Sequence, residues 1–166
     1  MTKMRIGAAA LAAGLFLGGS AMAQNVLRHK NPNSDFPIAQ AVEVPAGKTT
    51  VYVSGAVPSV VDEKAEKGSL AAYGNTKTQT ESVLKSIEKT LDSLGLKMGD
   101  VVKMQVFLVG DPDKGGKMDF GGFMEGYVQF FGTKEQPNLP ARSVMQVAGL
   151  VAPGWLVEIE VTAVRP

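Results

Sequence analysis

Cysteine is absent from the 166-residue chain. That absence excludes disulfides, a thiolate nucleophile, thiolate metal sites and CxxC redox chemistry. Histidine occurs once, as His29. A single imidazole excludes a multi-His metal site and gives a Ser-His-Asp triad little support. Neither sign of charge is in surplus, because 17 Lys and Arg oppose 16 Asp and Glu, for a formal charge of +1. The basic footprint of a nucleic-acid binder is therefore missing. Repeats and low-complexity stretches are missing too. The hydrophobic fraction of 45% suits a packed domain rather than a disordered chain.

The N-terminus reads as an address. Lys3 and Arg5 precede a short apolar run from Ala8 to Leu17, and Ala21-Met22-Ala23 forms an A-x-A cleavage signal. A membrane anchor is the competing reading. The run is short against the roughly 20 residues of a spanning helix, and it carries glycine. The expectation is a signal peptide over 1–23, cleaved after Ala23, and a periplasmic or secreted product free of the membrane. No cysteine follows the cleavage site to accept a lipid. Losing Lys3 and Arg5 takes the formal charge from +1 to −1. Residues 24–36 are polar and Pro-containing and read as an arm with little structure of its own. Residues 37–166 read as one domain.

Residues 38–44 and 49–54 are β-rich runs around the turn signal Pro45-Ala46-Gly47-Lys48, which predicts a hairpin. Residues 58–75 carry Pro58, charges from Asp62 to Lys67, Gly68 and Gly74, and read as a long surface loop. Over 76–94, Val83, Leu84, Ile87, Leu91 and Leu94 make one helical stripe, with Gly95 placed to end it. Residues 101–109 read as a strand with Val102, Met104, Val106 and Leu108 on one face. Over 119–131, Phe120, Phe123, Met124, Tyr127 and Phe131 recur at helical spacing behind the capping residue Asp119. Strands follow at 143–148 and 155–164; in the second, Trp155, Val157, Ile159, Val161 and Ala163 alternate with Leu156, Glu158, Glu160 and Thr162. The order β-β-α-β-α-β-β, with two strand–helix–strand crossovers, predicts an α/β (α+β) domain: a mixed sheet with both helices on one face. The other face, with Lys103, Gln105 and Phe107, is too mixed for a closed core and favours an oligomer.

Chemistry concentrates near Asn138-Leu139-Pro140-Ala141-Arg142-Ser143. Arg142 at a strand's start offers a planar fork of donors that suits a carboxylate. Glu158, expected on a paired strand, is a carboxylate able to hold and activate water. A plain surface ion pair of Arg142 with Glu158 or Glu160 is the alternative, and such pairs contribute little. His29, in the polar arm, reads as a solvated side chain.

Several segments, in order, resemble the Rid family of reactive intermediate deaminases, also called YjgF or RidA. Pro37–Val42 is similar to the family's G-P-Y-S-Q-A, and Val51–Pro58 to its strand ending S-G-Q-x-P. Gly95–Lys103 is similar to A-G-L-x-x-D-V-V-K. Pro140-Ala141-Arg142-Ser143 and Val157–Ala163 are similar to P-A-R-S and V-E-I-E-x-x-A. The resemblance implies a chorismate-mutase-like fold and a homotrimer with sites between subunits. It implies hydrolysis of 2-imino acids or enamines to 2-oxo acids and ammonia, without cofactor or metal. In that scheme Arg142 holds the substrate carboxylate, Glu158 orients water, and Ser54 lies near the leaving nitrogen. The family's Tyr falls on Ile38, its Asn on Met124 and its Cys on Val144. An otherwise polar wall becomes apolar, which points either to a bulkier, more apolar ligand or to reduced deaminase activity.

Three function classes follow. The first is an exported imine or enamine deaminase. The second is a trimer that binds a small carboxylate without chemistry. The third, a ribonuclease, is disfavoured by the near-neutral charge and the lone His29. Partners are then a small carboxylate and further copies of the chain, with no nucleic acid and no membrane.

Overall fold

The computed structural model describes residues 25–166, and the leader read over 1–23 lies outside the described residues. The described residues form six strands and three α-helices: β1 (Leu27–His29), β2 (Ala41–Glu43), β3 (Thr50–Ala56), α1 (Leu70–Tyr73), α2 (Thr76–Ser93), β4 (Val101–Val109), α3 (Phe120–Tyr127), β5 (Ala141–Val147) and β6 (Val157–Val164). The main sheet runs β3-β6-β4-β5. β6 is antiparallel to both neighbours, and β5 is parallel to β4. β3 and β4 therefore run parallel through α2, and β4 and β5 through α3, which are the two crossovers expected from the order of elements. The domain is a mixed α+β fold with its long helices on one face.

Amphipathic patterning explains the layers. α2 starts where the Asn75 side chain accepts a hydrogen bond from the Thr78 amide at 3.0 Å. It ends before Gly95, whose φ of 70° suits a residue without Cβ. Val83, Leu84, Ile87 and Leu91 are fully buried against the sheet. Leu94, expected in the same stripe, is exposed because it caps the helix end. Asp119 caps α3 through the Gly122 amide at 3.0 Å, as expected. α3 ends at Tyr127 rather than 131, but Phe131 remains buried in the following turn. In β4 the buried set includes Met104, Val106 and Leu108, and in β6 Val157, Ile159, Val161 and Ala163. A side chain on Gly126 would stand 2.8 Å from Thr80 Cβ, so glycine sets how closely α2 and α3 approach.

The expected hairpin over 38–54 is not formed. The turn exists, with Gly47 at φ 83°, but the strands beside it part company. β3 pairs with β6, placing Val51 and Val53 toward the core. β2 pairs with β1, which lies in the stretch read as an unstructured arm. Arg28 anchors that ribbon by donating to the carbonyls of Leu139 (3.2 Å), Gly99 (2.8 Å) and Val101 (3.1 Å). The 58–75 loop contains α1 as an added turn of helix, and β5 begins at Ala141, two residues early, because Ala39 bridges it there. β6 begins at Val157, two residues later than read. The opposite sheet face is covered by no described element: Tyr52 is 82% exposed. No described helix is long and apolar enough to cross a membrane.

Candidate functional site

Arg142 pairs in register with Met104, so its side chain leaves β5 on the helix face of the sheet. There its guanidinium is ringed by aromatics. Cζ lies 4.1 Å from the Tyr127 ring centroid, 5.0 Å from Phe123 and 5.5 Å from Phe36. Ring faces are electrostatically attractive to a cation and offset part of the cost of burying it. Nη2 donates to the Met124 thioether sulfur at 3.2 Å. Nη1 is buried and has no hydrogen-bond partner among the described residues. Burial pulls the Arg142 guanidinium below its usual range, an effect opposed by Tyr127 beside it. The same enclosure pushes the Tyr127 phenol up to about 12, against the lowering influence of Arg142. The Tyr127 hydroxyl donates to the Pro37 carbonyl at 3.1 Å, which ties the arm to this spot.

A cleft of about 540 Å³ opens beside the start of β5, lined by Phe36, Ile38, Ala39, Lys103, Arg142 and Ser143 among others. Ile38 stands there because Ala39 bridges Ala141 and accepts register from it, with its amide donating to the Pro140 carbonyl at 3.0 Å. Met124 comes from α3 and Val144 from β5, next after the exposed Ser143; Val144 packs on the core. Arg142, Ile38 and Met124 thus converge, with Val144 one strand step beyond.

Glu158 and Ser54 do not join them. Glu158 was expected on a strand paired with that of Arg142, but β4 lies between β5 and β6. Glu158 pairs in register with Phe107, on the uncovered face, whereas Arg142 pairs with Met104 on the helix face. The two charges are therefore on opposite sides of the sheet. The plain Arg142 ion pair is not formed either: the described bridges are His29–Glu43, Lys77–Glu125 and Lys97–Asp92. Ser54 is exposed on β3, beside a bulge between Val53 and Ala56. Within that bulge Gly55 lies directly under Glu158: a Cβ there would occupy the place of Oε1. Glu158, Ser54 and Gly55 make a second cluster, on the face left open.

Sequence reading missed Phe36 and Gly55 as site residues and placed Lys103 only on the mixed sheet face. Phe36 had one signal, an aromatic residue inside an otherwise polar arm. Gly55 had another, a glycine within a β-rich run, which marks a bulge or close approach. Among the described residues no group of His, Asp and Glu could hold a metal ion.

Comparison with known proteins places these features. The family model described as endoribonuclease L-PSP matches residues 29–165. A 2-iminobutanoate/2-iminopropanoate deaminase of Salmonella typhimurium is 32% identical over 144 residues, covering 87% of this chain and 99% of that protein. The crystal structure of E. coli TdcF with bound serine superposes with a TM-score of 0.55 at 30% identity, over 86% of this chain and 99% of the other. A Rid-family protein of Yersinia pestis shares the fold, with a TM-score of 0.62 at 24% identity over 86% of this chain and 98% of the other.

Proposed function

This chain belongs to the Rid family, whose sequence model is described as endoribonuclease L-PSP, and on that premise we propose that it hydrolyses 2-imino acids or their enamine tautomers to 2-oxo acids and ammonia. The observation that carries the reading is Arg142, a half-buried guanidinium whose buried Nη1 has no partner among the described residues, beside an open cleft. A buried donor left unpaired is unfavourable by about 1–3 kcal/mol, and more when charged. A ligand carboxylate supplies the missing acceptor. The deaminase name of the Salmonella relative supports the reaction class.

The chemistry asks little of the protein. The protonated imine carbon is electrophilic. Water adds to C2 while Glu158 takes one of its protons, that proton passes to nitrogen, and the C–N bond breaks as the remaining hydroxyl proton goes to Glu158, releasing ammonia and leaving the 2-oxo acid. Holding the carboxylate and the water in place supplies much of the acceleration. Because Arg142 and Glu158 face opposite sides of one sheet, the site is completed between copies: Arg142 of one chain meets Glu158 and Ser54 presented by the open face of the next. A homotrimer provides three such clefts. Residues 1–23 support export, so the reaction takes place in the periplasm or outside the cell. The near-neutral charge and single His29 offer no phosphate-tracking surface for RNA.

The test uses residues 24–166. Imino acids are generated in situ by an amino-acid oxidase and 2-oxo acid release is followed with native protein, Arg142→Ala and Glu158→Gln. Native acceleration lost in both variants is expected. Coexpressing the two inactive variants should restore part of the activity, since some mixed interfaces join an intact Arg142 to an intact Glu158. Absence of any acceleration, with stoichiometric binding of 2-oxo acids retained, would instead assign a carboxylate-binding role without turnover, the outcome to which Ile38 and Met124 would then be traced.

A further inference from the structure

Five aromatic rings form a ladder that ends at the cleft. Centroid separations are 5.0 Å for Phe131–Tyr127, 5.7 Å for Tyr127–Phe123, 6.1 Å for Phe123–Phe120 and 6.3 Å for Phe120–Phe36. Phe123, Tyr127 and Phe131 are buried, whereas Phe36 is 43% exposed and lines the cleft. Phe36 is not part of α3, which carries Phe120, Phe123 and Tyr127, nor of the turn after it that carries Phe131: it is delivered by the N-terminal arm, just before Pro37. Its ring nevertheless stands 5.5 Å from the Arg142 guanidinium carbon.

We propose that Phe36 is a specificity-determining residue, which selects 2-imino acids with an aromatic or large branched apolar side chain. This rests on the reading that Arg142 holds the ligand's carboxylate. A carboxylate hydrogen-bonded to the guanidinium sits about 3 Å from it. The substituent on C3 then extends into the cleft that Phe36 and Ile38 line. A ring placed there continues the ladder at the 4.5–7 Å spacing that aromatic pairs prefer. The competing occupant is an acidic side chain on Lys103, whose ammonium has only the neutral Ser143 hydroxyl at 3.4 Å. Lys103 lines the same cleft, but it pairs with Ala141 and leaves the sheet on the face opposite to Arg142, whereas Phe36 stands on Arg142's side, 5.5 Å from its guanidinium carbon.

The experiment is calorimetric binding of phenylpyruvate, 2-oxobutanoate and 2-oxoglutarate to residues 24–166, native and with Phe36→Ala or Phe36→Leu. Native protein should bind phenylpyruvate at least about tenfold more tightly than 2-oxobutanoate, a modest discrimination for an apolar pocket. Phe36→Ala should bring that ratio close to one while 2-oxobutanoate affinity holds, with Phe36→Leu between. An unchanged ratio, or equal weakening of both acids, overturns the proposal alone. Tightest binding of 2-oxoglutarate overturns it in favour of Lys103. Failure of native protein to bind any 2-oxo acid overturns the carboxylate reading of Arg142 and this proposal with it.

Discussion

Replacing Gly55 by alanine separates the chemistry from the fold. A Cβ at Gly55 lands on the Glu158 carboxylate, also 3.0 Å from its Cδ and 3.1 Å from its Cγ. Glu158 must therefore turn away from its place over Gly55. Two stability effects oppose each other. Gly→Ala narrows the unfolded ensemble and stabilises by about 0.4–1 kcal/mol, and Gly55 has no positive φ to penalise the change. Pushing a partly exposed side chain off its rotamer costs about 0.5–1.5 kcal/mol. The net falls within about 1 kcal/mol of zero, a melting shift of a few degrees at most. Catalysis has no such compensation. A displaced general base forfeits about 10²–10⁴-fold. The expected result is a Gly55→Ala protein with near-native Tm whose 2-oxo acid release from in situ imines falls at least about a hundredfold, while affinity for 2-oxo acids at Arg142 is retained. Turnover within threefold of native, in a protein that still needs Glu158, would refute the placement of the working carboxylate over Gly55.

Three further outcomes follow from the packing. Arg28→Ala removes three hydrogen bonds to carbonyls and should destabilise the protein by about 1–3 kcal/mol, with amide exchange rising in 27–29 and 41–43 but not in 157–164; uniform protection would disprove the anchoring role. Gly126→Ala sets a gain in helix propensity of about 1 kcal/mol against a Cβ at 2.8–2.9 Å from Thr80, an overpacking worth about 1–3 kcal/mol, so a lower Tm is expected and a higher one would show that α2 and α3 separate freely. Tyr127 holds its proton more tightly folded, at about 12, than unfolded, near 10. Its contribution of about 2–3 kcal/mol is therefore whole below pH 10 and is lost as pH rises toward about 12. Denaturant titrations should show this loss in native protein and a shallower slope in Tyr127→Phe; identical slopes would contradict it.

Much of this fold is written in local pattern. A period of 3.6 over 83–91 and a period of 2 over 157–163 each name the residues that share a face, and burial follows them. What pattern cannot name is the neighbour. The same alternation in β6 is satisfied beside β5 or beside β4, so nothing local told that β4 would stand between Arg142 and Glu158. Nor does alternation reveal phase between strands: Arg142 aligns with Met104 and Glu158 with Phe107, an odd offset along β4, and an odd offset puts two side chains on opposite faces. The arm failed for a related reason. Leu27–His29 is too short to carry a period, and its order comes from Arg28 reaching carbonyls more than seventy residues away. The resemblance to known deaminases was legible because it is a matter of residue identity. The separation of its two charged groups is a matter of strand order. On the proposed reading, a chain holding the carboxylate with Arg142 borrows its acid from another copy, and the face that carries exposed Tyr52 and half-buried Phe107 and Glu158 lends it.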